Sequence, residues 1–248
     1  MKFWNLASSS RGNCYVIEFA TKQGNRTFLI ECGINRPEML KRCLEFNLDP
    51  KEFKFCLLTH SHSDHSKCAR DLRMKIYTSL GTQAALGFSN ADFLKSGETR
   101  YLDADIKVTP FAVEHDCDEP LGFVIESSIE SLLFTIDCKY YKADLSSYTF
   151  DYIMTECNYD HKQVYTLYHQ ARKEHSKELI KRYERLLNSH MSLASTLKHL
   201  KKLNLSKCKA IFLTHLSDGH ANEIKMKNEV YAQTGIPTYV CRRDGGII

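Results

Sequence analysis

The sequence predicts an α/β fold in which two β-sheets pack face to face and helices close their outer sides. Three observations carry this expectation. Short apolar runs bounded by polar turns dominate the chain up to Glu156, and amphipathic helical segments gather behind them, each followed by another apolar run. No repeat, low-complexity tract or Pro/Gly/Ser-rich linker divides the chain. With 248 residues, 43% of them hydrophobic, it can bury one large core, so a single domain over 1–248 is expected.

Taken in order, "NCYVIEFA" and "TFLIECG" flank the polar turn "TKQGNR" and read as a hairpin. The Gly12-Asn13 pair before them reads as a turn. Pro37 suits a helix start, and Met39, Leu40, Cys43 and Leu44 recur at helical spacing to about Asn47. "FKFCLLT" is a buried strand, followed by a helix around Lys67 to Met74 and the strand "KIYTS". The strands "IKVTPFAVEH", "GFVIES", "SLLFTID" and "FDYIMTE" fill the middle. Lys162 to Leu187 is helical and basic, with Ile180, Tyr183 and Leu187 on one face. Leu193, Leu197, Leu200 and Leu203 mark a further helix, then come the strand "KAIFLTH", a helix near Asn222 to Gln233, and the strand "PTYVC".

Thirty-four basic residues against thirty acidic ones give a net charge of +4, which permits an anionic substrate but is no nucleic-acid coat. The ten cysteines are scattered with no CxxC pair and no apolar leader follows Met1 and Lys2, so reduced thiols and a cytoplasmic location are expected. No window is long and apolar enough to span a bilayer, and no membrane partner is expected.

The densest chemistry lies in "THSHSDHS". An apolar strand delivers His60 and His62 to one sheet edge, where alternation along extended backbone lets both face one ion. Asp64 and His65, farther round the turn, can serve a second ion. His115, Asp137 and His215 each follow an apolar run, so the same edge receives three more donors. Cys32, Cys117 and Cys138 neighbour these positions, and strand alternation would turn them into the core.

With these residues in view, the sequence resembles the metallo-β-lactamase superfamily, whose HxHxDH signature is matched by His60, His62, Asp64 and His65, with His115, Asp137 and His215 in family order. The resemblance implies a four-layer αββα sandwich. It implies His60, His62 and His115 on one ion, Asp64, His65 and His215 on the other, and Asp137 bridging. The family places an aspartate where "LIECG" has Glu31, so weaker support for the site is expected there. An aspartate at 137, where β-lactamases carry cysteine, argues against antibiotic hydrolysis, while glyoxalase-type thioester hydrolysis stays open on the front half alone. "NSHMSLAST", "IFLTHLS", "SSSRGN" and "MTECN" resemble the RNase Z and YycJ/WalJ branch, which hydrolyses phosphodiesters. There His190 would lie beside the scissile phosphate, with Glu156 supporting it. As a bland alternative, His190 is a polar residue at a helix start capped by Ser189 or Ser192.

The expected cofactors are two divalent ions, zinc first, with manganese or iron as alternatives. Water activated between them would attack phosphorus in line with the leaving oxygen, with Asp64 among the catalytic residues and His190 protonating the leaving group. Three substrate readings stay open. A cyclic or short nucleotide is ranked first, because the chain is compact and weakly basic and also resembles phage anti-Pycsar phosphodiesterases. A DNA or RNA nuclease is second, motivated by the basic segment Arg172 to Arg185, whose bland reading is a solvated helix face. The third is a metal-bearing interaction protein whose partner binding would survive Asp64→Ala or His65→Ala. A homodimer is allowed by the resemblance alone.

Overall fold

A computed structural model describes residues 1–87 and 91–247. The first sheet gathers β1 (Lys2–Ser9), β2 (Gly12–Phe19) and β3 (Arg26–Ile30), then, beyond helix α1 (Arg36–Glu45), β4 (Phe55–Leu57). After the single turn α2 (Ser63–Ser66), it continues through β5 (Lys75–Thr78), helix α3 (Leu80–Leu86) and β6 (Ala91–Phe93). The second sheet is built from β7 (Arg100–Tyr101), β8 (Lys107–Glu114), β9 (Leu121–Glu126), β10 (Ser131–Thr135), β11 (Tyr140–Tyr141) and β12 (Tyr152–Glu156). Helices α4 (His161–Lys173), α5 (Lys177–Ser189) and α6 (Leu193–Leu200) lead to β13 (Ala210–Thr214). Helix α7 (Glu223–Thr234) then precedes β14 (Thr238–Val240), and β15 (Gly246–Ile247) returns to the first sheet.

The strand orders are β15-β1-β2-β3-β4-β5-β6 and β11-β8-β9-β10-β12-β13-β14, with β7 beside β8. Each sheet starts as an antiparallel meander and ends in parallel pairs, β3-β4-β5-β6 in one and β10-β12-β13-β14 in the other. Parallel pairs need crossovers, and helices lie in all of them except the β10–β12 connection, which carries β11 and irregular turns.

Strand alternation makes three apolar layers from one set of strands. Tyr15, Ile17, Phe28, Ile30, Phe123, Phe134, Met154 and Phe212 meet between the sheets. Their neighbours Val16 and Leu29 turn outward to meet Met39 and Cys43 of α1. On the other side Val124, Leu133, Ile153 and Ile211 meet Leu193 and Leu200 of α6 and Met226 and Val230 of α7. Helix, sheet, sheet and helix are therefore stacked as the αββα expectation requires. Both faces of the central strands are covered, so they read as apolar runs rather than alternating ones.

The structure departs from the sequence reading at several places, among them the short elements α3, β6, β7, β11 and β15, which the reading did not name. Residues 2–9 form β1, and their near-continuous burial hid the strand's period. The turn before β2 falls on Ser10 and Arg11, with Gly12 and Asn13 already paired in the ladder. The helix expected from Lys67 to Met74 instead begins at Ser63, and only a 3-10 turn at Ala69–Asp71 remains there. Leu203 lies beyond the end of α6. The basic stretch Lys162 to Leu187 is a helical hairpin rather than one helix, reversing at His175, whose φ is +55°. Folding back lets Val164 and Ala171 of α4 pack on Tyr183 of α5, an apolar stripe that one straight helix would leave wet.

One glycine fixes how the first sheet meets the HxHxDH turn. The Cys32 amide donates to His65 O at 2.7 Å and the Cys68 amide to Cys32 O at 3.0 Å, so two backbones run in contact. A Cβ on Gly33 would sit 1.6 Å from Asp64 O. Gly33→Ala must therefore push the turn away from the sheet. A stability loss on the order of 3 kcal/mol is expected, with impaired divalent-metal uptake, measured by thermal denaturation and by metal analysis. Wild-type melting and uptake would show that this contact does not hold the turn.

Candidate functional site

Most donors of the site lie just beyond a strand end, while Glu156 is the last residue of β12. Thr59 to His62 follow β4, His115 follows β8, Asp137 lies two residues past β10, and His215 follows β13. Glu31, Asp137 and His215 hold left-handed backbone, with φ of +63°, +43° and +54°. Such conformations are costly for non-glycine residues and persist where surrounding contacts enforce them.

The structure brings His60, His62, His115 and Asp137 into one group and Asp64, His65, Asp137 and His215 into a second, with all donor atoms in each group within 4.8 Å of one another. In the first, His62 Nδ1 lies 3.2 Å from both His60 Nε2 and His115 Nε2. Asp137 Oδ2 lies 3.6 Å from His60 Nε2 and 3.3 Å from both His115 Nε2 and His65 Nε2. It is thus common to both groups. Asp64 Oδ2 is 3.5 Å from His65 Nε2 and 3.7 Å from His215 Nε2.

These separations suit metal ions. Donors at 2.0–2.1 Å in a tetrahedron stand about 3.3 Å apart, so the imidazole nitrogens have the spacing of ligands around a common centre. The outward nitrogens are also occupied, which fixes the inward ones. His115 Nδ1 donates to Ser189 O at 2.9 Å, His60 Nδ1 meets Thr59 Oγ1 at 2.9 Å, and His215 Nδ1 meets Glu156 Oε1 at 3.2 Å. Asp137 Oδ1 and His215 Nε2 are buried without a geometrically sound hydrogen bond. The acids Glu31, Asp137 and Glu156 are almost wholly buried, and among the described residues their cationic partners within 4 Å are histidines alone. Burial alone would raise the Asp137 pKa, but His215, His65 and His190 hold it well below the usual carboxylate range. Conversely, burial opposes charging His65 and His215, and Asp137 outweighs it and pushes both well up. Net positive charge is what this pocket is built to hold.

Glu31 corrects the expectation of weaker support. Its Oε2 lies 3.4 Å from His65 Nδ1 and its Oε1 accepts the Thr59 amide at 3.2 Å, so it steadies both ends of the turn. The left-handed backbone offsets the extra methylene relative to aspartate.

His190 and Glu156 form a third group with Asp137 and His215. Glu156 Oε1 lies 2.7 Å from His190 Nδ1 and 3.2 Å from His215 Nδ1. Its Oε2 accepts the Cys138 amide at 2.7 Å and the Met191 amide at 3.2 Å. Burial pushes the Glu156 carboxyl up, and the His190 partner brings it below its ordinary value. His190 therefore ends α5 pointed at the site, while Ser192 caps α6 by accepting the Ser195 amide.

Two residues of the quoted motifs brace the site in a way that the motifs did not specify. Asn13 Nδ2 reaches Asp64 O at 3.3 Å and His65 Nε2 at 3.2 Å, which gives "SSSRGN" a role in bracing the turn. Asn158 of "MTECN" donates to His215 O at 2.7 Å. Cys32 and Cys138 are buried as expected, but Cys117 is half-buried, because it lies in an irregular loop where strand alternation does not apply. Burial pushes its thiol up to about 12, which leaves it unreactive near neutral pH. All ten cysteines are free, and no described helix is long and apolar enough to cross a membrane.

The site opens into a cleft of about 550 Å³ whose far wall is α5, with Lys181, Arg182 and Arg185 lining it beside His190. Arg185 Nε lies 3.0 Å from Asp116 Oδ2, and Asp116 Oδ1 is 3.1 Å from His115 Nε2. His220, unnoticed in the sequence, also lines the cleft, and neither of its ring nitrogens has a partner. Lys181, Arg182 and Arg185 are exposed, so this side of α5 is a solvated face that also borders the cleft.

A family model described as the beta-lactamase superfamily domain matches residues 26–216. Exodeoxyribonuclease WalJ of Streptococcus pneumoniae is 26% identical over 152 residues, covering 56% of this chain and 55% of that protein. The chain thus spans about half the length of this curated relative. Among solved structures, the metallo-β-lactamase fold protein YhfI of Bacillus subtilis matches with a TM-score of 0.70 at 13% identity, covering 100% of this chain and 98% of that one. The short form of human tRNase Z matches with a TM-score of 0.61 at 14% identity, covering 88% and 94%. These structural likenesses share the fold.

Proposed function

Because the chain belongs to the beta-lactamase superfamily, we propose that its histidine and carboxylate cluster holds two divalent ions and hydrolyses phosphodiester bonds at the end of a nucleic-acid chain. The observation that carries the polymer reading is the cationic wall of the cleft, Lys181, Arg182 and Arg185, beside the cluster. Residues 161–189 hold seven Lys and Arg against three Glu, an excess equal to the net charge of +4 of the entire chain. A single phosphodiester needs no such concentration, whereas several successive phosphates do. The WalJ relative, named an exodeoxyribonuclease, supports the same class.

His60, His62 and His115 would hold one ion, Asp64, His65 and His215 the other, and Asp137 would be shared. All-nitrogen and oxygen donors with tetrahedral spacing favour zinc, and manganese or iron suits the same atoms. Bound ions supply an activated water and neutralise the nonbridging phosphate oxygens. The chain's own part is to aim them. Glu31, Asn13 and Asn158 hold the ligands in place, Lys181 and Arg182 draw the phosphates along α5, and His190 faces the leaving oxygen. Glu156 binds His190 Nδ1, which leaves Nε2 to donate a proton to the departing alkoxide.

A cyclic mononucleotide is the second reading, favoured by a cleft volume typical of small-molecule sites. Salt dependence separates the two. Log K for a labelled single-stranded oligonucleotide should fall with log salt at roughly −0.7 per phosphate neutralised, and Lys181→Ala with Arg182→Ala should flatten the slope by about 1.4. A wild-type slope no steeper than one phosphate's would sink the polymer reading and leave the cyclic one.

A further inference from the structure

We propose that the exposed face of α4 is a stacking platform for single-stranded nucleic acid, formed by His161, Tyr165 and His169, which carries the strand toward the cleft. The inference rests on the polynucleotide reading of the site and names the surface that reading lacks. The three side chains stand at i, i+4 and i+8, so they share one face over about 12 Å, the length of about three stacked nucleotides. The His161 and Tyr165 rings lie 5.8 Å apart with an interplanar angle of 21°, and Tyr165 and His169 lie 4.4 Å apart at 73°. All three are exposed, Tyr165 by 50%. Packing does not require them there, because Val164 and Ala171, with Leu167 and Tyr168, already bury α4 against α5.

The row begins at the cleft wall. The Asp160 amide donates to His220 O at 3.0 Å, and His220 lines the cleft, so His161 is the first side chain beyond it. Lys162, Arg172 and Lys173, all exposed, flank the rings on the same helix. Rings that accept bases, with cations beside them for the backbone, form the sequence-tolerant pattern that holds an unpaired strand. A duplex presents no unstacked bases to such rings.

The test pairs binding with chemistry. Anisotropy of labelled 12-nucleotide dT and U oligomers, alongside hydrolysis of the p-nitrophenyl ester of thymidine 5′-monophosphate, is measured on metal-loaded wild type, Tyr165→Ala, Tyr165→Phe and His161→Ala/His169→Ala. Loss of one stacked base corresponds to about 5- to 100-fold weaker binding. That loss is expected for Tyr165→Ala and for the double variant, with Tyr165→Phe binding like wild type and all variants hydrolysing the small ester normally. The two oligomers then say whether DNA or RNA is preferred. If wild type binds oligomers and Tyr165→Ala binds them equally well, the platform is overturned while the nuclease reading stands. If Tyr165→Ala also loses the small-ester activity, its effect is structural and the platform is likewise overturned. A wild type that neither binds nor shortens any oligomer overturns both together.

Discussion

Asp137→Ala is expected to halve the divalent metal bound per chain or lower it further, and to cut the proposed phosphodiester hydrolysis by roughly 10³-fold or more. The reason is geometric. A single carboxylate stands within 4 Å of His60, His65, His115, His190 and His215. Its Oδ2 is the atom that the two ligand groups have in common, so its removal separates them. It also leaves His65 and His215 without the negative charge that raises their proton affinity, an electrostatic change that opposes any cation in the pocket. Asp137→Asn tests charge separately from shape: metal content should fall with little change in melting temperature of the metal-free protein. Metal content equal to wild type in both variants would contradict the shared-ligand assignment.

His190→Ala is expected to behave differently, losing rate and keeping metal. General acids contribute about 10²- to 10⁴-fold, so kcat on an oligonucleotide should fall within that range. The leaving oxygen of a nucleotide is a poor one and needs the proton, whereas p-nitrophenolate departs without help. The variant should therefore retain most activity on a p-nitrophenyl ester. Glu156→Gln should show a weaker version of the same pattern, since the neutral amide can still accept from His190 Nδ1 but no longer pairs with it as a carboxylate. Equal losses on both esters would assign His190 to phosphate binding instead of proton donation.

The donors of the site were legible because each follows an apolar run, and the ends of β4, β8, β10 and β13 bring them together at one edge of the two sheets. His60, His62, His115, Asp137 and His215 needed nothing more. The bracing residues were not legible in the same way. Asn13 and Asn158 reach the site through turns whose shape depends on contacts across the sheet, and Glu31 was misjudged because composition does not reveal the left-handed backbone that redirects it. The hairpin of α4 and α5 was hidden for a related reason. No proline or glycine marks His175, and the reversal is driven by Tyr183 burying against Val164. Without that reversal, periodicity cannot say which face of α5 looks into the cleft. The cations at Lys181, Arg182 and Arg185 therefore read as surface in the sequence, and the structure sets them in the lining of the cleft, the observation on which the proposed polymer substrate rests.

The most direct measurement is a product assay: zinc-, manganese- and iron-loaded protein, with His62→Ala as the control, on end-labelled single- and double-stranded DNA and RNA and on 3′,5′-cyclic mononucleotides. Stepwise shortening of a polymer that requires both metal and His62 is the predicted result. Intact polymers with metal-dependent opening of the cyclic nucleotides would contradict the nuclease account, and intact phosphodiesters throughout would contradict the phosphodiesterase account as a whole.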